Sequence, residues 1–190
     1  MGLMSLTRRQ LLIAAAATAL PAAANADPAR RSYLRAWRNV TRKLVVYQGF
    51  GTALHARITY LSPAFRQVLA DERHRLLGHA DASDAVFRAR MRDDGSAFHE
   101  FVIGADSGED QDPKFGNTDA RWNLRLTTPS GDLPLLHVEH IRRPTPVHQG
   151  LYPQLNIWSE LWIARFEGGA APSMSLNVGS GLGNGEVNWP

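Results

Sequence analysis

Lys43-Leu44-Val45-Val46-Tyr47-Gln48-Gly49-Phe50-Gly51-Thr52-Ala53-Leu54-His55-Ala56-Arg57-Ile58-Thr59-Tyr60-Leu61 decides the fold class. Leu54, Ala56, Ile58 and Tyr60 alternate with His55, Arg57 and Thr59. Successive strand side chains point to opposite faces, so a period of two marks a strand with one dry and one wet face. Leu44-Val45-Val46-Tyr47 precedes it, and the glycines at 49 and 51 suit a tight connection. Residues 43–61 therefore predict a β-hairpin.

The period then changes. Ser62-Pro63 reads as an N-cap followed by proline at the first helical position, where the missing N–H costs nothing. Phe65, Val68, Leu69, Leu76 and Leu77 recur at helical spacing, and Gly78 is placed to end the helix. A second short helix is predicted from Ser83 to Asp94, with Phe87 and Met91 at i and i+4. Lying between strands, the two helices are expected to cap an open end or edge of the sheet.

Strand patterns resume at Ala97–Ile103, an apolar run containing His99 and Glu100. Trp122, Leu124 and Leu126 form another, and Leu136 and Val138 return after the turn Thr128–Asp132. A Pro-rich loop covers 144–153. Trp158 to Phe166 reads as a strand with Trp158, Trp162, Ala164 and Phe166 on one side; Met174–Val178 and Glu186–Trp189 follow. The fold expected is mainly β: a single antiparallel β-sandwich, immunoglobulin-like, of about seven to eight strands with a helical insertion near residues 62–94. A barrel is the alternative.

Upstream of the domain (43–190) lie a polar, Arg-rich lead-in over 27–42 and a different kind of segment over 1–26. Thr7-Arg8-Arg9-Gln10-Leu11-Leu12 is followed by an uncharged Ala- and Leu-rich run to Ala24, then by Ala24-Asn25-Ala26. That run is shorter than the roughly 20 residues a membrane span needs. A paired-arginine start, an apolar core, Pro21 and a small-x-small triplet resemble a twin-arginine export signal, cut between Ala26 and Asp27. A general secretory signal or an uncleaved amphipathic anchor is the alternative. The resemblance implies passage through the twin-arginine translocase and signal peptidase, a periplasmic or secreted location, and no stable membrane anchor. The mature chain is expected to begin at Asp27.

Without Arg8 and Arg9 the charge balance falls to 19 basic against 18 acidic residues. Nucleic-acid affinity comes from excess positive charge, so no nucleic-acid partner is expected. The chain has no cysteine, which excludes disulfides, zinc–thiolate sites, iron–sulfur clusters and thiol nucleophiles.

Trp37-x-x-x-Thr41, Val46-Tyr47-x-Gly49-Phe50-x-Thr52, Thr59-Tyr60-Leu61-Ser62-Pro63-x-Phe65-Arg66, Trp122-x-Leu124, Tyr152-Pro153, Trp158-Ser159-x-x-Trp162 and Glu186-Val187-x-Trp189 together resemble a family of bacterial exported proteins and lipoproteins that is itself uncharacterised. The resemblance implies a single envelope domain and transfers no catalytic role.

The chemistry-bearing motifs are sparse. In His137-Val138-Glu139-His140, strand alternation sends residues 137 and 140 to opposite faces. His137 and Glu139 share a face and are candidate metal ligands if His99 or His55 comes alongside. No His-Glu-x-x-His and no Gly-x-Ser-x-Gly occurs. The acidic loop Asp106–Asp112 lacks the spacing of a calcium loop. Gly179–Gly185 is followed by no helix that would hold a phosphate, so it reads as a turn. Tyr152, Trp158 and Trp162 suit either an aromatic binding edge or a core, and two tryptophans on one strand face favour core. No cofactor and no catalytic residue is predicted. The function expected is a non-catalytic binding or assembly module of the cell envelope with an envelope protein partner. The alternative is an enzyme or metal-binding protein using strand histidines.

Overall fold

The computed structural model describes residues 27–78, 82–93, 97–106, 113–116, 120–156, 158–168 and 171–190. Arg8, Arg9 and Ala26, and positions 107–112 of the acidic loop, lie outside the described residues.

The expected lead-in is a helix, α1 (Pro28–Val40). Asp27 caps it, its carboxylate accepting the Ala29 N–H at 3.0 Å. Tyr33 and Trp37 are one turn apart and buried. The Arg-rich composition of this segment therefore belongs to the wet side of an amphipathic helix.

The predicted hairpin is formed by β1 (Thr41–Gln48) and β2 (Gly51–Tyr60). The helical insertion follows as α2 (Pro63–Leu77) and α3 (Ala82–Asp93). Ser62 Oγ accepts the Phe65 N–H at 3.2 Å, and Gly78 closes α2 in the left-handed conformation at φ 71°. Next come β3 (Phe98–Asp106), β4 (Phe115–Gly116), β5 (Trp122–Thr128), β6 (Gly131–Leu133) and β7 (Leu135–Ile141). The Pro-rich stretch contains a short helix, α4 (Pro146–Leu151), and β8 (Glu160–Glu167), β9 (Met174–Ser180) and β10 (Gly183–Trp189) complete the chain.

Among the described residues the strands form two open sheets and no barrel. One has the order β1-β2-β3-β8-β7; the other runs β10-β9-β5-β4, with β6 also on β5. The pairings are antiparallel except β4 with β5. Ten strands are present among the described residues, more than the seven or eight expected.

One core lies between the sheets, joining Leu54, Ile58 and Phe101 of the first to Leu126, Leu176 and Trp189 of the second. Near its edge β10 approaches β1 so closely that a Cβ on Gly185 would lie 2.5 Å from Leu44 Cδ1. A second core lies on the other face of the first sheet. There Phe65, Leu69 and Met91 from the insertion and Trp37 from α1 pack with Val102 and Leu161. The helices thus cover a sheet face, not the end or edge expected from their place in the chain. β3 is consequently buried on both sides: His99, Phe101 and Ile103 face the inter-sheet core, and Glu100 and Val102 face the helices. Gly104 admits the segment after α4, since a Cβ there would meet Leu155 at 2.8 Å.

Trp158 corrects the sequence reading. The strand starts at Glu160, so Trp158 falls outside it and is 81% exposed, while Trp162, Ala164 and Phe166 are in the core. Asn156 Oδ1 accepts the Trp158 N–H at 2.6 Å, and Ser159 Oγ donates to Asp106 at 2.7 Å. These bonds hold a turn where alternation alone predicted a strand.

Candidate functional site

Strand register sets the polar pattern on the helix-covered face of the first sheet. Glu100 on β3 pairs with Arg165 on β8, which pairs with His137 on β7. The next row on that face runs Val102, Ile163, Glu139. Neighbouring strands are about 4.8 Å apart, so each row spans roughly 10 Å.

A carboxylate inside a doubly buried strand must be paired. Glu100 is: Arg66, itself fully buried on α2, directs both terminal nitrogens to its Oε2 at 3.3 Å. The Arg66 Nε donates to the Leu61 carbonyl at 2.9 Å. Arg90 of α3 donates to Glu100 Oε1 at 3.2 Å, and Arg165 Nε lies 3.4 Å from Oε2. One sheet carboxylate thereby ties both insertion helices to β3. The helices are also tied to each other, because Asp84 of α3 accepts from Arg73 and contacts His74 of α2. Burial pushes the Asp84 carboxyl up, but hydrogen bonds from His74 and Arg88 outweigh it and hold the group below its ordinary range.

Beside this cluster the helices do not close over the sheet. They leave a half-enclosed cavity of about 370 Å³. Ile163, Leu161 and Ile141 form its floor, and Leu69, Phe87 and Met91 one wall. α4 supplies the opposite wall through Val147, His148 and Leu151. The polar residues among its lining are Arg73, Arg90, Glu100, Glu139, His148 and Tyr152. Concave, mainly apolar sites with a few convergent polar groups are the usual form of small-ligand pockets.

Two of these groups are shifted from their ordinary titration. Burial, with Glu100 next, drives the Tyr152 hydroxyl well above its ordinary range, against the opposing charges of Arg90 and Arg66, so it stays protonated. Burial lowers the His148 pKa; Glu139 opposes that and Arg73 reinforces it. His148 also completes a capping box on α4, its Nδ1 accepting the Thr145 N–H at 3.1 Å. With Nδ1 an acceptor, the neutral ring carries its proton on Nε2.

The candidate ligands named from sequence do not converge. His137 and Glu139 do share the helix-covered face, and Glu139 lines the cavity. His99 lies on the opposite face, in register with Phe166 and with its Nδ1 3.2 Å from the Tyr60 hydroxyl. His55 is at the other side of the sheet on β2, 3.3 Å from Asp106. Among the described residues no three His, Asp or Glu side chains are grouped to hold a metal. His140 faces the inter-sheet side, stacked on Trp162 at 3.8 Å between ring centres. Asp27 caps α1 and takes no part in the cavity.

Sequence reasoning passed over Arg66, Arg73, Arg90, Glu100 and His148 as site residues. A signal for them existed: a glutamate within an apolar strand, next to an insertion rich in arginine. No family model, curated protein or solved structure matches the chain. No helix among the described residues is long and apolar enough to cross a membrane.

Proposed function

We propose that the chain is an exported bacterial envelope protein that binds a small amphipathic molecule in the cavity between α2, α3, α4 and the first sheet, without catalysing a reaction on it. The observation carrying this reading is the cavity itself, with an apolar floor and polar groups converging from five elements. The twin-arginine pattern at Arg8-Arg9, cleavage before Asp27 and the resemblance to exported proteins support a periplasmic location. The reading treats the two facing sheets as an immunoglobulin-like sandwich whose helical insertion has been given a binding role. The separation of His99 from His137 argues against the strand-histidine metal site.

The test is native mass spectrometry of the chain purified from the periplasm, beside the variant Ile163→Trp, which fills the cavity floor. The expected result is a mass of residues 27–190 plus a small adduct released on denaturation, with the adduct absent from the variant. A bare mass in every preparation, with no melting shift from any amphipathic additive, would overturn the proposal.

A further inference from the structure

The geometry points to the head group of the ligand: we infer that the cavity takes an amphipathic monocarboxylate, its carboxylate held by Arg73 and Arg90 near His148 and its chain laid on Leu69, Met91, Leu161 and Ile163. This inference rests on the binding reading above and names its ligand class.

The argument is a count of donors against acceptors at the cavity. A guanidinium carries five N–H donors and no acceptor. Arg73 uses Nη1 on Asp84 at 3.0 Å and Nη2 on Ser83 at 3.3 Å, which leaves donors over. Its Cζ lies over the Phe87 ring, 4.7 Å from the ring centre. Arg90, which donates from Nη2 to Glu100 at 3.2 Å, adds a second positive charge at the cavity. Tyr152 keeps its proton and is a further donor. His148 has its Nδ1 occupied as an acceptor by Thr145, so its Nε2–H is a donor as well. On the acceptor side, Glu100 already receives hydrogen bonds from Arg66 and Arg90 and is ion-paired with Arg165. That leaves Glu139 at the rim of the cavity, on β7 and exposed. A site rich in donors and lined with hydrocarbon complements a ligand with an acceptor-only head and an apolar body. Charge-assisted hydrogen bonds favour a carboxylate over a neutral hydroxyl. The lining itself is balanced, with Arg73 and Arg90 against Glu100 and Glu139, but Arg66 and Arg165 bring two more positive charges to Glu100 and Asp84 one negative charge to Arg73, so the site can neutralise a single added negative charge better than a double one.

Isothermal titration of the purified chain, stripped of bound ligand, with decanoate, decanol and decylamine at pH 7.5 tests this. Decanoate should bind about tenfold tighter than decanol, as a hydrogen bond to a charged group would give. Arg73→Gln should weaken decanoate severalfold more than decanol, and the ratio of the two ligands within that variant controls for any change in the cavity walls. Glu139→Gln should tighten decanoate severalfold by removing the opposing charge. Equal binding of decanoate and decanol would overturn the carboxylate assignment and leave the binding reading standing. Tightest binding of decylamine would overturn it in favour of Glu139 as the head-group contact. Binding of none of the three would remove the binding reading and this inference together.

Discussion

Replacing Glu100 with Gln tests the cluster that fixes the helices to the sheet. Arg66 has 0% of its side chain exposed, and Glu100 has 2%. Glutamine keeps nearly the same volume but removes the charge and turns an NH2 toward guanidinium donors. Arg90 and Arg165 are 38% and 25% exposed and regain water when their partner is lost. Arg66 cannot, because among the described residues only the Leu61 carbonyl then remains as an acceptor for its side chain. Removing one member of a buried pair costs about 3–5 kcal/mol, chiefly as an uncompensated buried charge. That is between about a fifth and all of the roughly 5–15 kcal/mol by which domains are stable. At about 2–4 °C per kcal/mol for this size, the melting point should fall by roughly 6–20 °C. Urea denaturation should show a lower midpoint at unchanged slope. The double variant Arg66→Met/Glu100→Gln removes the stranded charge and should recover at least about 1 kcal/mol relative to Glu100→Gln alone. A loss under about 1 kcal/mol in the single variant, or strictly additive losses in the cycle, would refute the reasoning.

Other perturbations follow from the same geometry. His148 has a folded-state pKa below its unfolded value of 6.5, so its stabilising contribution is complete above pH 6.5 and is lost as pH falls from there through the folded pKa. His148→Gln keeps a capping-box side chain at the third helical position and should flatten that part of a melting-point profile. Gly185→Ala should cost about 1–3 kcal/mol in chemical denaturation, because its Cβ would meet Leu44 at 2.5 Å in a packed core. Trp158→Ala should change stability by no more than about 0.5 kcal/mol, whereas Trp162→Ala should cost about 3–5 kcal/mol, and equal losses would contradict the turn at 156–159.

How far the sequence predicts this architecture depends on whether an element has one wet face. β2 and β5 do, and their alternation of apolar with polar residues locates them. The caps of α2 were legible for a local reason, since Ser62, Pro63 and Gly78 each satisfy a backbone requirement at a helix end. α1 was obscured by Arg30, Arg31, Arg35 and Arg38, which outweigh Tyr33 and Trp37 in composition although the four-residue spacing of the two aromatics carries the helical signal. Trp158 and Trp162 share parity in any strand. Alternation could not reveal that Asn156 and Ser159 end the turn two residues later.

β3 loses its alternation because both faces are covered, and that loss is itself informative about the site. Burial on two sides requires a layer beyond the second sheet, and the insertion between β2 and β3 is the nearest apolar material in the chain. Glu100 then cannot be solvated, so the covering layer must bring cations, and α2 and α3 bring Arg66 and Arg90. This chain of requirements leads from one glutamate to the cluster, but not to the cavity beside it. The cavity depends on how far α4 stands from α2 and α3, a distance no spacing along the chain encodes. His148 shows the same limit. Its capping role is local and belongs to α4, yet what makes it a donor at the cavity is a wall formed by residues more than fifty positions earlier. Metal-ligand spacing on strands directed attention to His137, which the helical layer leaves at an exposed position, while the histidine at the cavity sits in a Pro-rich stretch with no motif around it. In a fold whose recess forms between a sheet face and its inserted helices, the residues that meet there are selected by packing and not by sequence proximity.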